Sequence, residues 1–466
     1  MTARIESVAI KSLFGNRDIF LDFREDVKIL VGENGLGKTT ILNILNEIFN
    51  GRIENLIFYP LESVKIKLSD IDTAFVFSKD VLGKFNQEKR DIFQDFNEKG
   101  VYELLDLFFS YDLNEDISYE TAKKLIEHII WENPEVERNM ECYNASPGPD
   151  IAGWMVAFPS IFFFKKEVKK LGYEVGFLPT YRRIEADVNK IIPSDLKIRD
   201  NSGKEYFFGL PVTGRSIGDL IFSNELPMKF GMKDITERID WLLKEIASES
   251  VKGYSEVSGK MIARLLDSNK ESIPSTKIDP SQIKIILERL GDSISEDERS
   301  RIESAMEKRD SQDNENLIYY LAALGEVYKR TEKYDVKLKE FKKAVNAFLY
   351  DKCFRYDESH IKFDLYFNND SSYSKPISLD KLSSGEKQLI ALLATAYLAD
   401  KKRVVFIIDE PELSLSLTWQ RILLPSLNAA PNTAMIIAAT HSPFIFDNEL
   451  REFTLGGVEY ATSISK

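Results

Sequence analysis

The sequence predicts an α/β fold: a mixed sheet with crossover helices, divided into two lobes by a helical insert. Three observations predict it. An apolar run, VKILV (27–31), passes directly into a glycine-rich loop and then into TTILNILNEIF (39–49), whose Ile41, Ile44, Leu45 and Ile48 share one helical face. Late in the chain, VVFIIDE (404–410) and AMIIAAT (434–440) read as apolar strands separated by a helix, the alternation of a parallel sheet. Between about 230 and 350 glycine is scarce, charge is dense and the pattern is helical.

In chain order, Ile5, Val8 and Ile10 lead through FGNRD to IFLDF (19–23), a hairpin ahead of the VKILV strand. The alternation in SVKIKLSD predicts another strand, and 87–135 a helical stretch. IAGWMVAFPSIFFF (151–164) is 14 uncharged residues broken by a proline, too short to span a bilayer, which needs about 20; it reads as buried core. YNASPGPD (143–150) is a loop and YEVGFLP (173–179) a buried strand. In the insert, FGMKDITERIDWLLKEI, PSQIKIILERL and 315–349 are helices. Along the last, Leu317, Leu321, Leu324 and Tyr328 form one spaced set, and Tyr334, Leu338, Phe341, Val345 and Phe348 a second; the heptad phase breaks between them. A short coiled-coil arm and amphipathic helices packed on their own domain both remain open. The expected domains are lobe I (1–225), the helical insert (226–352) and lobe II (353–466).

The 466 residues allow about three domains. With 43% hydrophobic residues, 30 Phe and 19 Tyr, a wholly disordered chain is excluded. Cys142 and Cys353 offer neither a disulfide framework nor a metal clip. The opening residues lack a signal-peptide pattern, so a soluble, cytoplasmic protein with no membrane partner is expected. Sixty-two Lys and Arg against 75 Asp and Glu give a net charge of −13, which votes against indiscriminate coating of nucleic acid but leaves room for one basic groove, such as KKEVKK (165–170) or the basic 329–343 stretch.

Four segments carry chemistry. GENGLGKT (32–39) fits GxxxxGK[ST]. Gly32, Gly35 and Gly37 let the backbone curl so that its N–H groups face phosphates, Lys38 reaches the β- and γ-phosphates, and Thr39 offers a hydroxyl to Mg²⁺. Glu33, Asn34, Leu36 and Thr40 complete the phosphate-binding segment. VVFIIDEPE (404–412) ends a strand in Asp409, placed for Mg²⁺, and Glu410, placed to deprotonate a water; the alternative is an acidic turn. LSSGEKQ (382–388) opens a helix with Ser383, Ser384, Gly385 and Glu386, either an anion site or an ordinary serine N-cap. His441 follows an apolar strand, at the edge where ligands gather in open α/β sheets.

These four pieces in this order resemble the ABC-type ATPases: a Walker A loop, a signature motif with Ser384 where the common version has glycine, a Walker B strand with its catalytic Glu, and a switch histidine. The long separation of GENGLGKT from the other three is similar to the branch of SMC, RecF and overcoming-lysogenization ATPases. With no CxxC hook, a short insert and only a short stretch after His441, the chain is most similar to the stand-alone AAA15 or AAA21 group. FLPTYRRIE (177–185), FGMKDITERI (230–239) and LSSGEKQL are similar to the ATPase subunits of anti-phage systems, PARIS (AriA) first and Septu (PtuA) second.

The resemblance implies an ABC-type P-loop ATPase head that binds ATP and Mg²⁺. Thr39 and Asp409 would serve the metal, Glu410 would be the general base and His441 the γ-phosphate sensor. Ser383–Glu386 of a second copy would complete an ATP sandwich, in a dimer or higher homo-oligomer. It further implies a sensor or scaffold that holds a Toprim-type nuclease or toxin subunit, or an HNH nuclease in the Septu case, and answers a phage trigger protein. A DNA-repair ATPase is the alternative. ELSLS (412–416) departs from the usual ELSLH, with Ser416 in place of His. Arg4, Phe14 and Arg17 are candidates for the base pocket, Gln87 for a Q-loop, and Arg182 and Arg183 for phosphate, partner or DNA contact.

Overall fold

The computed structural model describes residues 3–33, 35–95, 101, 103–105, 107–108, 111, 118–140, 151–179, 198–199, 205–207, 210–211, 232–266, 280–291, 294–307, 315–368, 375–399, 403–413 and 415–463. YNASPGPD, Cys142, Asn34, Arg182 and Arg183 lie outside them. The strands are β1 (Ile5–Leu13), β2 (Arg17–Asp22), β3 (Val27–Val31), β4 (Ser63–Leu68), β5 (Phe75–Ser78), β6 (Glu174–Leu178), β7 (Ile198–Arg199), β8 (Glu205–Phe207), β9 (Leu210–Pro211), β10 (Lys352–Asp357), β11 (Lys362–Phe367), β12 (Val404–Asp409), β13 (Thr433–Thr440), β14 (Thr454–Gly456) and β15 (Ala461–Ser463). The helices used below are α1 (Lys38–Phe49), α2 (Lys79–Asp95), α3 (Pro159–Leu171), α4 (Met232–Leu266), α5 (Pro280–Arg289), α6 (Glu315–Asn346), α7 (Ser384–Leu398), α8 (Leu417–Asn428) and α9 (Pro443–Phe446).

The chain divides into two compact units, one of 1–227, 401–429 and 433–466, the other of 228–400 and 430–432. The second unit therefore runs past the expected insert boundary at 352 and takes in β10, β11 and α7. The cause is local packing: Phe341 of α6 stacks on Phe363 and meets Phe354 at a tilt, both in the β10–β11 hairpin, and α7 packs along α6.

Among the described residues, the first unit holds both kinds of strand pairing, in two five-stranded sheets and a small antiparallel one, β7-β8-β9. Of the five-stranded sheets, one is parallel, in the order β14-β3-β13-β12-β6, and the other antiparallel, β15-β2-β1-β4-β5. The parallel sheet explains the apolar runs: β12 is buried along its whole length, so no residue of VVFIID faces water. β1, β2 and β4 alternate buried with half-exposed residues, as strands do when one face is covered. Helix α1 buries Ile41, Ile44, Leu45 and Ile48 against this core, which also takes Val405, Ile407 and Ile437 from the parallel sheet. IAGWMVAFPSIFFF is indeed core: Trp154, Phe162 and Phe164 are buried, and the helix breaks at Phe158–Pro159.

In the second unit, α6 is one unbroken helix of 32 residues packed on α4 and α5. The two spaced sets fill two clusters. Leu321, Leu324 and Tyr328 join Val257, Ile283 and Leu287, whereas Phe341 meets the hairpin phenylalanines. Between them, buried Thr331 and Asp335 receive Arg289 of α5, at 3.2 and 2.8 Å. The phase break is the seat of this polar contact. Among the described residues, no helix is long and apolar enough to cross a membrane.

Candidate functional site

Three adjacent parallel strands, β3, β13 and β12, end at one edge of the sheet, and each delivers a candidate residue there. The loop after β3 turns through Gly35 and Gly37, both at φ +84, a left-handed conformation that costs a side chain about 1–2 kcal/mol. At Gly37 a Cβ would also lie 2.7 Å from the Phe14 ring. The turn delivers Lys38 as the first residue of α1, 6% exposed, so burial pulls its ammonium pKa down, opposed by Glu410, Asp409 and Glu412. Its Nζ donates to the carbonyls of Gly32 (2.8 Å) and Glu33 (3.3 Å) and lies 2.7 Å from Nε2 of His441. An ammonium has three protons, and this site supplies three acceptors. Leu36 folds inward against Gly32 and Gly457, and Thr40 is half-buried in the first turn of α1.

Thr39 Oγ1 donates to Asp409 Oδ2 at 2.8 Å. A hydroxyl beside a carboxylate is a hard-oxygen set that fits Mg²⁺. Glu410 follows with φ +50, one of four non-glycine residues with positive φ among the described residues. Such strain collects at functional sites. Its N–H continues the ladder to the Ala439 carbonyl (2.8 Å), and its Oε1 stands 3.5 Å from His441 Nε2. Burial, a hydrogen bond to Glu412 and the charges of Glu412 and Asp409 push its carboxyl up to about 8, only partly opposed by Lys38. Burial would raise Glu412 too, yet the hydrogen bonds it accepts from Glu410 and Thr440 hold it low. Of the two carboxyls, Glu410 is thus the one pushed toward its protonated form.

Thus Gly32, Glu33, Gly35, Leu36, Gly37, Lys38, Thr39, Thr40, Asp409, Glu410 and His441 share one site in the first unit. Ser383, Ser384, Gly385 and Glu386 belong to the second unit. There Ser383 is the N-cap of α7 in a capping box: Glu386 N–H donates to its hydroxyl, and the Ser383 N–H (2.7 Å) and hydroxyl (2.8 Å) donate to the Glu386 carboxylate. The ordinary N-cap reading is thus realised in this conformation, which leaves the serine hydroxyl one lone pair for a further donor.

The secondary candidates separate. Arg17 Nη1 donates to the Gly35 carbonyl (2.8 Å) and Phe14 abuts Gly37, so both adjoin the loop, whereas Arg4 pairs with Asp26 at 3.2 Å. Gln87 is on the exposed side of α2. Ser416 caps α8, accepting the Trp419 N–H at 3.3 Å. KKEVKK is not a free basic patch: Lys165 pairs with buried Glu54 (2.6 Å), Lys166 donates to the Tyr111 carbonyl (3.1 Å) and Lys170 pairs with Glu167 (2.7 Å). In the 329–343 stretch, Arg330 pairs with Glu256 and Lys339 with Glu358. Glu412, Gln420, Thr440 and Ser442, which surround His441, were missed by sequence reasoning; the only signal was a third carboxylate in DEPE.

Residues 242–447, under half of the chain, match a family described as "AAA domain, putative AbiEii toxin, Type IV TA system". The matched stretch contains Ser383–Glu386, Asp409, Glu410 and His441 but not the phosphate loop. No curated protein sequence matches the chain. Among solved structures, it is similar to an Smc head domain with an extended coiled coil, bound to the C-terminal domain of ScpA, from Pyrococcus furiosus. That likeness has TM-score 0.33 and 11% identity, over 99% of this chain and 96% of that one. An Smc head domain with a coiled coil and joint from Pyrococcus yayanosii is similar at TM-score 0.30 and 12% identity, over 99% and 97%. These structural likenesses are too distant to bear on function. The AAA-domain match, added to a phosphate loop that converges with an acidic strand end and a histidine, identifies the chain as an ATPase.

Proposed function

We propose that the chain binds ATP with Mg²⁺ and hydrolyses it. The observation that carries this is the convergence of Lys38, Thr39, Asp409, Glu410 and His441 at the ends of three neighbouring strands. The loop N–H groups and Lys38 would cradle the phosphates, so Lys38 exchanges its carbonyl and histidine partners for phosphate oxygens. Thr39 and Asp409 would hold Mg²⁺, which neutralises phosphate charge and favours the ionised form of Glu410. The Glu410 carboxylate then takes a proton from water as its oxygen bonds to the γ-phosphorus; the bond from that phosphorus to the β–γ bridging oxygen breaks, leaving ADP and phosphate. His441, beside Glu410 and Lys38, contacts the γ-phosphate. Ser383–Gly385 of a second copy closes the site, giving an ATP-dependent homo-oligomer.

For biological role, we read the chain as the sensor or scaffold ATPase of a bacterial anti-phage system, holding a nuclease or toxin subunit and releasing or activating it. The AbiEii-toxin description of the matched family and the PARIS-like phrases support this reading. The engaged lysines of KKEVKK speak against the DNA-repair alternative. Glu410→Gln should retain nucleotide binding and lose about 100-fold or more in turnover, since general bases contribute about 10²–10⁴. Phosphate release within a few-fold of wild type would remove Glu410 from this role.

A further inference from the structure

Glu412 carries no step of the hydrolysis itself, yet both oxygens of its carboxylate are engaged. The ladder between β13 and β3 ends at Thr440, paired with Val31, so the next N–H groups, of His441 and Ser442, have no strand to bond. Both turn to one oxygen, Oε1 of Glu412, at 2.9 and 3.0 Å. The other oxygen, Oε2, accepts the Thr440 hydroxyl at 2.7 Å. Thr440 is fully buried. The backbone of Glu412 is itself anchored: its carbonyl accepts from Leu415 N–H (3.1 Å) and from the Gln420 amide (3.4 Å). Gln420 closes the circuit, because its Oε1 accepts the Ser442 hydroxyl at 2.7 Å.

The His441 side chain is 38% exposed and meets Lys38 and Glu410. Its ring direction is set mainly by its backbone, and that backbone is tied to Glu412. We propose that Glu412 is a positioning residue, fastening the 440–442 loop to the turn that bears Glu410, so that base and histidine keep a fixed separation. This deepens the ATPase reading of the site and rests on it. The chemistry requires a carboxylate. Two N–H groups converge on one oxygen and the Thr440 O–H on the other, the Glu410 carboxyl donates as well, and only an acceptor-only group satisfies them all. A glutamine would turn its NH₂ toward one set of donors.

The test is Glu412→Gln, with Thr440→Val as a second variant that removes one donor to Glu412 and also the hydroxyl that accepts the Ser442 N–H at 2.9 Å, so that His441 exchange is its cleaner readout. In the nucleotide-free protein, amide hydrogen exchange at His441 and Ser442 should accelerate about tenfold or more, the cost of one lost hydrogen bond, while β12 and β13 exchange as in wild type. Unchanged exchange at 441–442 in both variants overturns the proposal, and it does so whether or not the protein hydrolyses ATP. In turnover, kcat should fall about tenfold or more with affinity for a fluorescent ATP analogue within about threefold, and in a His441→Ala background the same change should add less than about twofold. A loss that multiplies fully in that background shows that Glu412 does not act through His441, and overturns the proposal. Absence of turnover in the wild type would instead defeat the ATPase reading, leaving the exchange measurement to decide the role of Glu412.

Discussion

Glu410 holds a backbone conformation that costs a non-glycine residue about 1–3 kcal/mol. The strain swings its carboxyl out of line with the buried strand and beside His441. Other residues at this scale act through hydrogen-bond arithmetic. Burial alone would raise the Glu386 carboxyl, but the Ser383 N–H, Lys352 at 3.0 Å and the Ser383 hydroxyl outweigh it and hold it below its ordinary 4.5. A carboxyl whose pKa is lower folded than unfolded stabilises the fold above the unfolded value and loses that contribution as pH falls through the folded one. The thermal midpoint of Glu386→Gln should therefore lie below wild type at pH 7 and approach it as pH drops below 4.5. A gap independent of pH would mean that the carboxylate charge contributes nothing. The residues of GENGLGKT and DEPE were legible because each motif is contiguous and its chemistry local. The bracing by Glu412 was not, because its partners are 28 to 30 residues away and meet it only in the folded sheet.

Among elements, α6 shows how a pattern error becomes a feature. Its period breaks, yet the helix continues, because the break seats Arg289 against Asp335, with side chains 2% and 0% exposed. Tyr356 donates to the same carboxylate, and Glu358, which takes Tyr328 and Lys339, extends the network to β10. Removing one member leaves a charge buried and unpaired, so Asp335→Ala should cost about 3–5 kcal/mol, measured by denaturant unfolding. A loss under about 1 kcal/mol would show that Arg289 reaches water or another partner. The sequence could announce the break but not its cause, since Arg289 comes from another helix. Likewise the strands of the parallel sheet were legible as apolar runs, whereas their order was not: β6 and β14 join β3, β13 and β12 only through long-range pairing.

At the scale of the molecule, the candidate residues fall in two units, four of them in the second. If Ser383–Gly385 of one copy complete the site of another, Glu410→Gln with ATP and Mg²⁺ should double its native mass or more, read by light scattering, and Lys38→Ala should stay at the nucleotide-free mass. Equal masses in all states would remove the sandwich. The hydrogen bond between Thr39 and Asp409 spans 370 residues, and the Lys38–His441 contact spans 403. Contacts so remote in sequence are slow to form, because loop closure comes before any reward from pairing. On the ribosome, β3 and its phosphate loop emerge early and wait with both edges unpaired until β13, and then β14, arrive to zip against them. The nucleotide centre is thus among the last parts of this protein to exist, and a chain halted before β13 would carry a phosphate loop whose lysine has its own loop carbonyls but not His441.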